Sequence, residues 1–349
     1  MIRSISRLLS VPDKFAMLGL MRGMAAQMQL MTAAALLRCG ALQHLGTPCT
    51  LDELGAATEI GEREILRHLL DLGVRRRLLR RRAGRYSPRS RLARCLARDP
   101  NGPVASMLQE VTTYHHEVFD RLPDRLRGQP PSDYLDRYGE LVAQSSRILA
   151  PWIRGFTARV IGREQGRNIL ELGCGSGAYL TFYAKLHEGH RGVGVDLDSG
   201  VVAAARRLVT AAGFGDRFGV VQGDLRDRHQ WPDGSFDIVT AHQNVYYFDA
   251  DERLALWRRC REHLKEAGHL VIVTPTSGGP MSDYFSLILM STTGCHRLPS
   301  VDELHSELQA AGLELVRRER LVPGDAVWGL EARKAPAPPA QRPSERSLR

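Results

Sequence analysis

A glycine-rich loop directly after a short apolar run constrains this 349-residue chain most strongly. The run is Asn168–Leu172, with Glu171 as its one acid, and Gly173, Gly175 and Gly177 follow it before a helix-compatible segment. Glycines are required where a backbone turns tightly and approaches a ligand, and the next helix offers unpaired N–H groups at its N-terminus. Because nucleotide-binding proteins of several classes use such a loop, the motif alone predicts a nucleotide-type ligand on an α/β sheet.

Acidic residues at the ends of the next two apolar runs narrow the choice of ligand. Gly192–Val195 ends in Asp196, nineteen residues after Gly177, and Phe218–Val221 leads to Asp224. An acid at the end of the second strand can accept both hydroxyls of a ribose. Apolar runs alternate with helical segments from residue 168 to 334, which predicts a doubly wound α/β sheet. The five runs are Asn168–Leu172, Gly192–Val195, Phe218–Val221, Phe236–Val239 and Gly268–Val273.

The order of these motifs resembles that of class I S-adenosylmethionine-dependent methyltransferases. The motifs are E-L-G-C-G-S-G at 171–177, V-D at 195–196, G-D-L at 223–225, F-D-I-V at 236–239 and L-K-E-A-G-H-L-V-I at 264–272. The resemblance covers nearly all of 168–334 and implies a Rossmann-like, doubly wound, seven-stranded sheet with S-adenosylmethionine as the cofactor. An NAD-dependent enzyme is the alternative, but Glu171 would repel its pyrophosphate.

The resemblance also implies which residues hold the cofactor. Asp196 matches the acid that holds the ribose, Asp224 matches the acid that faces the adenine amino group, and the glycines pass under the methionine part. The cofactor-binding residues implied in this way are Glu171, Gly173, Gly175, Gly177, Asp196, Asp224 and Leu225.

The segment before the sheet is typical of three helices and a hairpin. Helices are predicted over Ala33–Leu45, Leu51–Thr58 and Glu62–Leu72, and a hairpin turn at Ala83-Gly84. This outline is that of a mostly α-helical winged-helix domain, and it resembles the dimerisation domain of small-molecule O-methyltransferases. The predicted organisation is an N-terminal helix plus winged-helix dimerisation domain (1–100), a helical connector covering the active site (101–166), a catalytic domain (167–334) and a disordered tail (335–349).

The N-terminal segment carries an apolar stripe. Its residues recur at spacings of three and four, as on an amphipathic helix that packs against a partner helix. They are Phe15, Leu18, Met21, Met24, Met28 and Met31. Together with the resemblance, the stripe predicts a homodimer formed through the N-terminal domain.

Positive charge is concentrated in parts of the chain. The formal net charge is +9 at pH 7, and much of it lies in Val74–Arg98 and in the C-terminal tail. Arginines near the wing of a winged helix leave a DNA-binding regulator as an alternative of another class. Nucleic acid is the less favoured partner, because Thr240–Asn244 replaces the Asp/Asn-Pro-Pro-aromatic motif of amino-type base methyltransferases. A small-molecule acceptor is therefore expected.

Cysteine usage and hydropathy bear on the compartment. The six cysteines are scattered without a C-x-x-C pair, which argues against a disulfide framework or a cysteine zinc site and predicts a reducing cytoplasm. No apolar run approaches the ~20 residues that span a bilayer, so no membrane association is expected.

The residues expected around the methyl acceptor leave its chemistry open. Plant-type O-methyltransferases have a histidine base in an H-x-W-D-D motif, and the matching position here is Tyr246. His242 follows the fourth apolar run, His296 lies in the insertion after the fifth, and His115 and His116 lie on the connecting helix. Adjacent helical residues point about 100° apart, so at most one of this last pair faces inward.

Two or three such histidines could hold a divalent metal such as zinc or iron. The predicted metal ligands are His116, His242 and His296, and the predicted catalytic residues are His242, His296 and Tyr246. A metal could chelate a 2-oxo acid and acidify its neighbouring C–H. Metal-assisted C-methylation of a 2-oxo acid, in amino-acid or natural-product biosynthesis, is therefore the favoured prediction. O-methylation of a phenolic or hydroxyl metabolite is the alternative.

Overall fold

The computed structural model describes residues 13–162 and 165–334, which divide into two compact units. The first contains the described residues up to Gly128 together with Tyr134–Ile148. The second contains Gln129–Asp133 and the described residues from Leu149 onward. The segment predicted as a connector is thus divided between the two units. The predicted tail, 335–349, lies outside the described residues.

The first unit consists of helices and one hairpin, in the predicted order. Its elements are α1 (Lys14–Arg38), α2 (Ala41–His44), α3 (Leu51–Ala57), α4 (Arg63–Arg75), β1 (Leu79–Arg82), β2 (Arg85–Pro88), α5 (Arg91–Arg98), α6 (Pro103–Thr112), α7 (Tyr114–Leu126) and α8 (Tyr134–Ser145). A capping box begins α3, since Thr50 Oγ1 accepts from Glu53 N at 3.2 Å and Glu53 Oε2 accepts from Thr50 N at 2.8 Å. The antiparallel hairpin turns at Ala83-Gly84, where both residues have positive φ.

The bounds of two predicted helices are wrong. The helix predicted over Ala33–Leu45 is broken because Gly40 takes a φ of 76°, so that α1 ends and α2 begins on either side of it. Gly73 does not end α4, which continues to Arg75. A Cβ on Gly73 would lie 3.1 Å from Leu79 Cδ1. That glycine therefore permits close packing of the helix against the hairpin.

The second unit is built on a seven-stranded sheet, which confirms the predicted fold class. Its elements are α9 (Ala150–Ile161), β3 (Asn168–Leu172), α10 (Ala178–Leu186), β4 (Arg191–Asp196), α11 (Ser199–Ala211), β5 (Phe218–Gln222), β6 (Phe236–His242), α12 (Ala250–His263), β7 (Leu264–Pro275), α13 (Pro280–Met290), α14 (Val301–Ala310), β8 (Leu313–Arg320) and β9 (Val327–Lys334). The strand order is β5-β4-β3-β6-β7-β9-β8. Only β9 runs antiparallel to the other six strands of this sheet. The order reverses between β3 and β6, and doubly wound sheets bind ligands at the strand ends beside such a switch point.

Alternating side chains of the central strands fill two apolar layers. In β3, Leu170 and Leu172 belong to one layer and Ile169 to the other, as the two-residue period of a strand requires. In β6, Val239 belongs to the first layer and Ile238 to the second. Packing on both faces holds the carboxyl ends of these strands in place.

Two further findings concern the compartment. All six cysteines are free thiols. Over the described ranges, no helix combines the length and the apolar character that crossing a bilayer requires. The cytoplasmic location stays a prediction.

Candidate active site

The glycine-rich loop joins the carboxyl end of β3 to the start of α10, at the switch point of the sheet. Gly173, Gly175 and Gly177 have φ angles of 62°, 51° and 76°, which residues with a side chain rarely adopt. A Cβ on Gly177 would approach Ala205 Cβ to 3.2 Å, so space as well as φ selects glycine there. The loop thus presents bare backbone at the sheet edge, as a closely approaching ligand requires.

Asp196 fastens this loop to the end of β4. Its Oδ2 accepts a hydrogen bond from Gly175 N at 2.8 Å, and its Oδ1 accepts one from Asp198 N at 3.3 Å. Beside it, Cys174 N donates to Val195 O at 2.9 Å. Two backbone N–H groups therefore orient a half-buried carboxylate whose remaining lone pairs can accept further hydrogen bonds.

Asp224 provides a second acceptor after the neighbouring strand. It is half-buried, its Oδ1 accepts from Arg226 N at 2.9 Å, and its own N–H donates to Gln230 Oε1 at 2.9 Å. Leu225, the next residue, is buried. An acceptor beside an apolar side chain is what an adenine ring with its amino group requires.

Asn244 is a site residue that the sequence motifs did not predict. Its Nδ2 donates to Leu172 O at 2.7 Å, and a Cβ on Gly173 would lie 3.0 Å from that nitrogen. Its Oδ1 is buried without a hydrogen-bond partner among the described residues. Such an orphaned acceptor costs about 1–3 kcal/mol, so a ligand that brings a donor, such as an ammonium group, fits beside the loop. The available signal was a polar residue just past a buried apolar run.

A buried polar cluster connects β3 and β6 with α9 and α10. Thr240 Oγ1 donates to Glu171 Oε2 at 3.1 Å, while Tyr183 OH and Thr157 Oγ1 lie 3.2 Å and 3.3 Å from His242 Nε2. Burial raises the pKa of Glu171 to about 8, although hydrogen bonds from Tyr183 and Thr240 oppose the rise. Burial lowers the pKa of His242 to about 3. Both side chains are therefore uncharged at neutral pH, so the repulsion of a pyrophosphate by Glu171 that the sequence suggested does not hold.

The turn after β6 lies against the helix that follows β7. Tyr246 is buried, and its ring packs edge-on against Phe285 of α13 with centroids 5.6 Å apart. The backbone N–H of His296 donates to Tyr246 O at 2.8 Å, which joins the segment after α13 to this turn. The pKa of Asp249 is lowered mainly by a hydrogen bond from the backbone of Glu252 and, to a smaller extent, by the charge of His296. His296 thus lies near the Asp249 carboxylate, and its backbone is joined to the turn that carries Tyr246.

The second unit matches a known domain family. Residues 169–268 match the family described as a methyltransferase domain. Residues 169–268 of the second unit are therefore a methyltransferase domain. The motif resemblance that predicted it is confirmed.

Relatives share the methyltransferase domain at low sequence identity. Demethylspheroidene O-methyltransferase of Rhodobacter capsulatus is 25% identical over 234 residues, which cover 64% of this chain and 55% of that protein. The match thus spans little more than half of that relative's length.

Solved structures show the same fold over nearly the whole chain. The mitomycin 7-O-methyltransferase MmcR is 19% identical, with a TM-score of 0.77 over 92% of this chain and 98% of that one. CalO1, a methyltransferase in calicheamicin biosynthesis solved with S-adenosylhomocysteine bound, is 20% identical, with a TM-score of 0.71 over 93% of this chain and 100% of that one. At these identities the likeness establishes the fold, including the N-terminal helical region.

The predicted metal ligands are distributed over both units. His242 and His296 belong to the methyltransferase domain, whereas His116 is exposed on α7 of the first unit. Its neighbour His115 is the buried member of the pair, with Nε2 3.1 Å from Glu110 Oε1. One of the two does face inward, but it is not the predicted one. In the part of the chain that the structure describes, no three His, Cys, Asp or Glu side chains are grouped as a metal site requires, so the predicted zinc or iron site has no support.

Proposed function

We propose that this chain transfers the methyl group of S-adenosylmethionine to a hydroxyl oxygen of a small molecule. The observation that carries the proposal is the glycine-rich loop, fastened to Asp196 at the switch point of a methyltransferase sheet. Oxygen is proposed as the acceptor atom because the relative from Rhodobacter capsulatus and MmcR are both named as O-methyltransferases. A place in natural-product biosynthesis is proposed from the same neighbours.

The residues around the loop fit this cofactor. Asp196 would accept the ribose hydroxyls, and Asp224 would accept from the adenine amino group beside the apolar Leu225. The orphaned Oδ1 of Asn244 would accept from the ammonium group of the methionine part. When bound, S-adenosylmethionine supplies a methyl group activated by its sulfonium charge. The protein binds and orients both reactants and takes the proton of the acceptor hydroxyl.

We propose that His296 is the general base that takes this proton. The position of the plant-type base is Tyr246, which packs against Phe285 as a wall, and an unperturbed tyrosine titrates only near ~10. The hydrogen bond from His296 to the Tyr246 carbonyl brings the imidazole to the same turn. The Asp249 carboxylate lies close enough for the charge of His296 to contribute to the lowering of its pKa. His242 is a poor base, because burial lowers its pKa to about 3.

The metal-assisted C-methylation of a 2-oxo acid that the sequence favoured is the weaker candidate. It depends on a metal to stabilise an enolate, and no suitable group of ligands occurs within the described residues. One of its two predicted ligands in this domain also has other partners, since the Tyr183 and Thr157 hydroxyls engage Nε2 of His242.

Substituting the proposed base should lower turnover without weakening cofactor binding. His296→Ala is expected to reduce kcat about 100-fold or more, because a positioned general base contributes that much. The dissociation constant for S-adenosylhomocysteine should stay near the wild-type value. The measurement is S-adenosylhomocysteine formation with a panel of phenolic and hydroxylated metabolites, with kcat followed against pH.

A matched control and a chelator separate this mechanism from its rivals. His305→Ala removes another half-buried histidine, on α14, and should leave kcat unchanged. Dialysis against EDTA should also leave activity intact. A kcat unchanged in His296→Ala would remove this residue from the mechanism. Activity lost to EDTA and restored by zinc or iron would favour C-methylation instead.

We also propose that α1 mediates a homodimer. Its apolar side chains stay exposed in the single chain, with Phe15 78%, Met21 57% and Met24 42% accessible. Met24→Glu should produce monomers, because a charge buried in such an interface is unpaired. Ala56→Glu adds the same charge at an exposed position of α3, away from α1, and should leave dimers. Light scattering after size exclusion would measure both, and a monomeric wild type would refute the proposal.

A further inference from the structure

The positive charge of the described chain is concentrated in one segment of the first unit. Residues 75–98 contain eleven arginines and no aspartate, glutamate or lysine, whereas the formal net charge of the whole chain is +9. The rest of the chain has no excess of positive charge, so a uniformly arginine-rich composition does not explain the segment. Among the described residues, Arg81 pairs with Asp71 and Arg85 with Glu53.

Four of these arginines line one cleft. Arg91, Arg94 and Arg98 occupy positions i, i+3 and i+7 of α5 and therefore share one face of that helix. Arg80 of β1 lines the same cleft, which has a volume of about 690 Å³. Apolar residues line much of the remainder: Leu45, Pro48, Pro88 and Ala97. This volume is that of a site for a small organic ligand, which typically measures about 300–1,000 Å³.

The four guanidinium groups have no carboxylate partner in the described ranges. Arg80 Nε donates to Ser87 Oγ at 2.9 Å, and Arg94 Nη1 donates to Arg89 O at 2.6 Å. The other donors of these two side chains stay available. All four arginines are exposed.

The arrangement is unfavourable for the protein on its own. Like charges three and four residues apart destabilise a helix by about 0.2–0.5 kcal/mol per pair. Arg91 lies in the first turn of α5, where the helix dipole favours an acid, and that turn contains none. A sequence that departs from local helix preferences in this way is expected where a ligand compensates for the cost.

We propose that this cleft binds a small organic molecule through its phosphoryl groups. A planar guanidinium group can donate two parallel hydrogen bonds to the oxygens of one phosphate. Several guanidinium groups around one concavity therefore suit a diphosphate or a similar group. The apolar lining residues then contact the organic part of the ligand. The site belongs to the first unit and does not depend on the proposed methyl transfer.

Duplex DNA fits the same surface less well. In a DNA-binding winged helix, the helix before the hairpin enters the major groove. Here that helix, α4, carries Glu64, paired with Arg67 at 3.7 Å, and Asp71, paired with Arg81 at 3.7 Å. Both carboxylates would lie in the negative potential of the groove, and each already pairs with an arginine that could otherwise contact the duplex. The available arginines instead surround a concavity of small-molecule size.

Calorimetric titration of the full-length protein with pyrophosphate, ADP and adenosine tests the proposal. S-adenosylhomocysteine is kept saturating, so that binding at the methyltransferase domain does not contribute. Pyrophosphate and ADP should bind and adenosine should not. The triple variant Arg91→Gln, Arg94→Gln, Arg98→Gln should lose at least about tenfold in affinity, since a hydrogen bond to a charged group contributes that much. Tighter binding of ADP than of pyrophosphate would indicate that the ligand is a nucleotide. Equal affinity for the two would indicate that the site recognises the phosphoryl groups alone. Either result supports the site.

The matched control removes the same charge from the same segment outside the cleft. Arg75→Gln, Arg77→Gln, Arg82→Gln should bind pyrophosphate as the wild type does. Arg94→Lys keeps the charge but loses paired hydrogen bonding, so it should weaken binding without affecting folding. Equal losses in both triple variants, or no binding of pyrophosphate and ADP to the wild type, would overturn the proposal. Binding to a 20-base-pair duplex but not to pyrophosphate would overturn it in favour of nucleic acid.

Discussion

Replacing Asp196 with asparagine is expected to weaken the binding of S-adenosylhomocysteine by about 100-fold, the equivalent of about 3 kcal/mol. The carboxylate is oriented by the N–H groups of Gly175 and Asp198, and the ribose is expected to occupy its other lone pairs. Asparagine has the same volume but only one acceptor oxygen and no charge. It must therefore give up hydrogen bonds to the loop, to the ribose or to both. Calorimetric titration with the product measures the loss independently of the acceptor.

Asp198 provides the matched control. It follows Asp196 by two residues, and its Oδ1 caps α11 by accepting from Val201 N at 2.8 Å. Asn is as good an N-cap as Asp, so Asp198→Asn should fold normally and bind the product about as the wild type does. An Asp196→Asn variant with wild-type affinity would refute the ribose assignment. Equal losses in both variants would indicate a general effect of charge near the loop.

The cofactor side of the site could be predicted from sequence because its constraints are local. Gly173, Gly175 and Gly177 lie in one run of five residues, and each takes a φ that favours glycine. Asp196 and Asp224 follow apolar runs directly, so parallel strands bring them to one edge of the sheet. Motifs of this kind carry their geometry with them.

The acceptor side could not be predicted in the same way, because its contacts join distant segments. His242 lies 59 residues from Tyr183 and 85 from Thr157, yet these two hydroxyls occupy its Nε2. Nothing in the sequence around His242 shows that it is buried and uncharged. The adjacent pair His115 and His116 illustrates the same limit. The helical period predicts that at most one of them faces inward, but which one does so depends on tertiary packing.

The pH dependence of stability should reveal the buried carboxyl of Glu171. Its pKa is raised from 4.5 to about 8 in the folded protein by burial. Between these values the folded state keeps a proton that the unfolded state has lost. The free energy of unfolding should therefore fall by about 1.4 kcal/mol for each pH unit across this window, and by no more above it.

The neutral imidazole of His242 opposes this effect over part of the range. Its pKa is lowered from 6.5 to about 3, so the unfolded state binds the extra proton and stability rises with pH between these values. The two contributions offset each other from pH 4.5 to 6.5. In the wild type, the decline due to Glu171 should therefore become visible only between pH 6.5 and about 8.

Glu171→Gln isolates the carboxyl from every other group. Glutamine resembles the protonated acid and can still accept from Thr240, so the variant should be more stable than the wild type at pH 8 and lose the decline. The difference between the two proteins should grow with pH from about 4.5 to about 8 at about 1.4 kcal/mol per unit. All four tryptophans, at 152, 231, 257 and 328, lie in the methyltransferase domain, so their fluorescence during urea unfolding reports this unit alone. Glu188→Gln, at an exposed position of the same domain, should leave the pH profile unchanged. A constant difference between wild type and Glu171→Gln would mean that the Glu171 carboxyl is ionised in the folded protein at neutral pH.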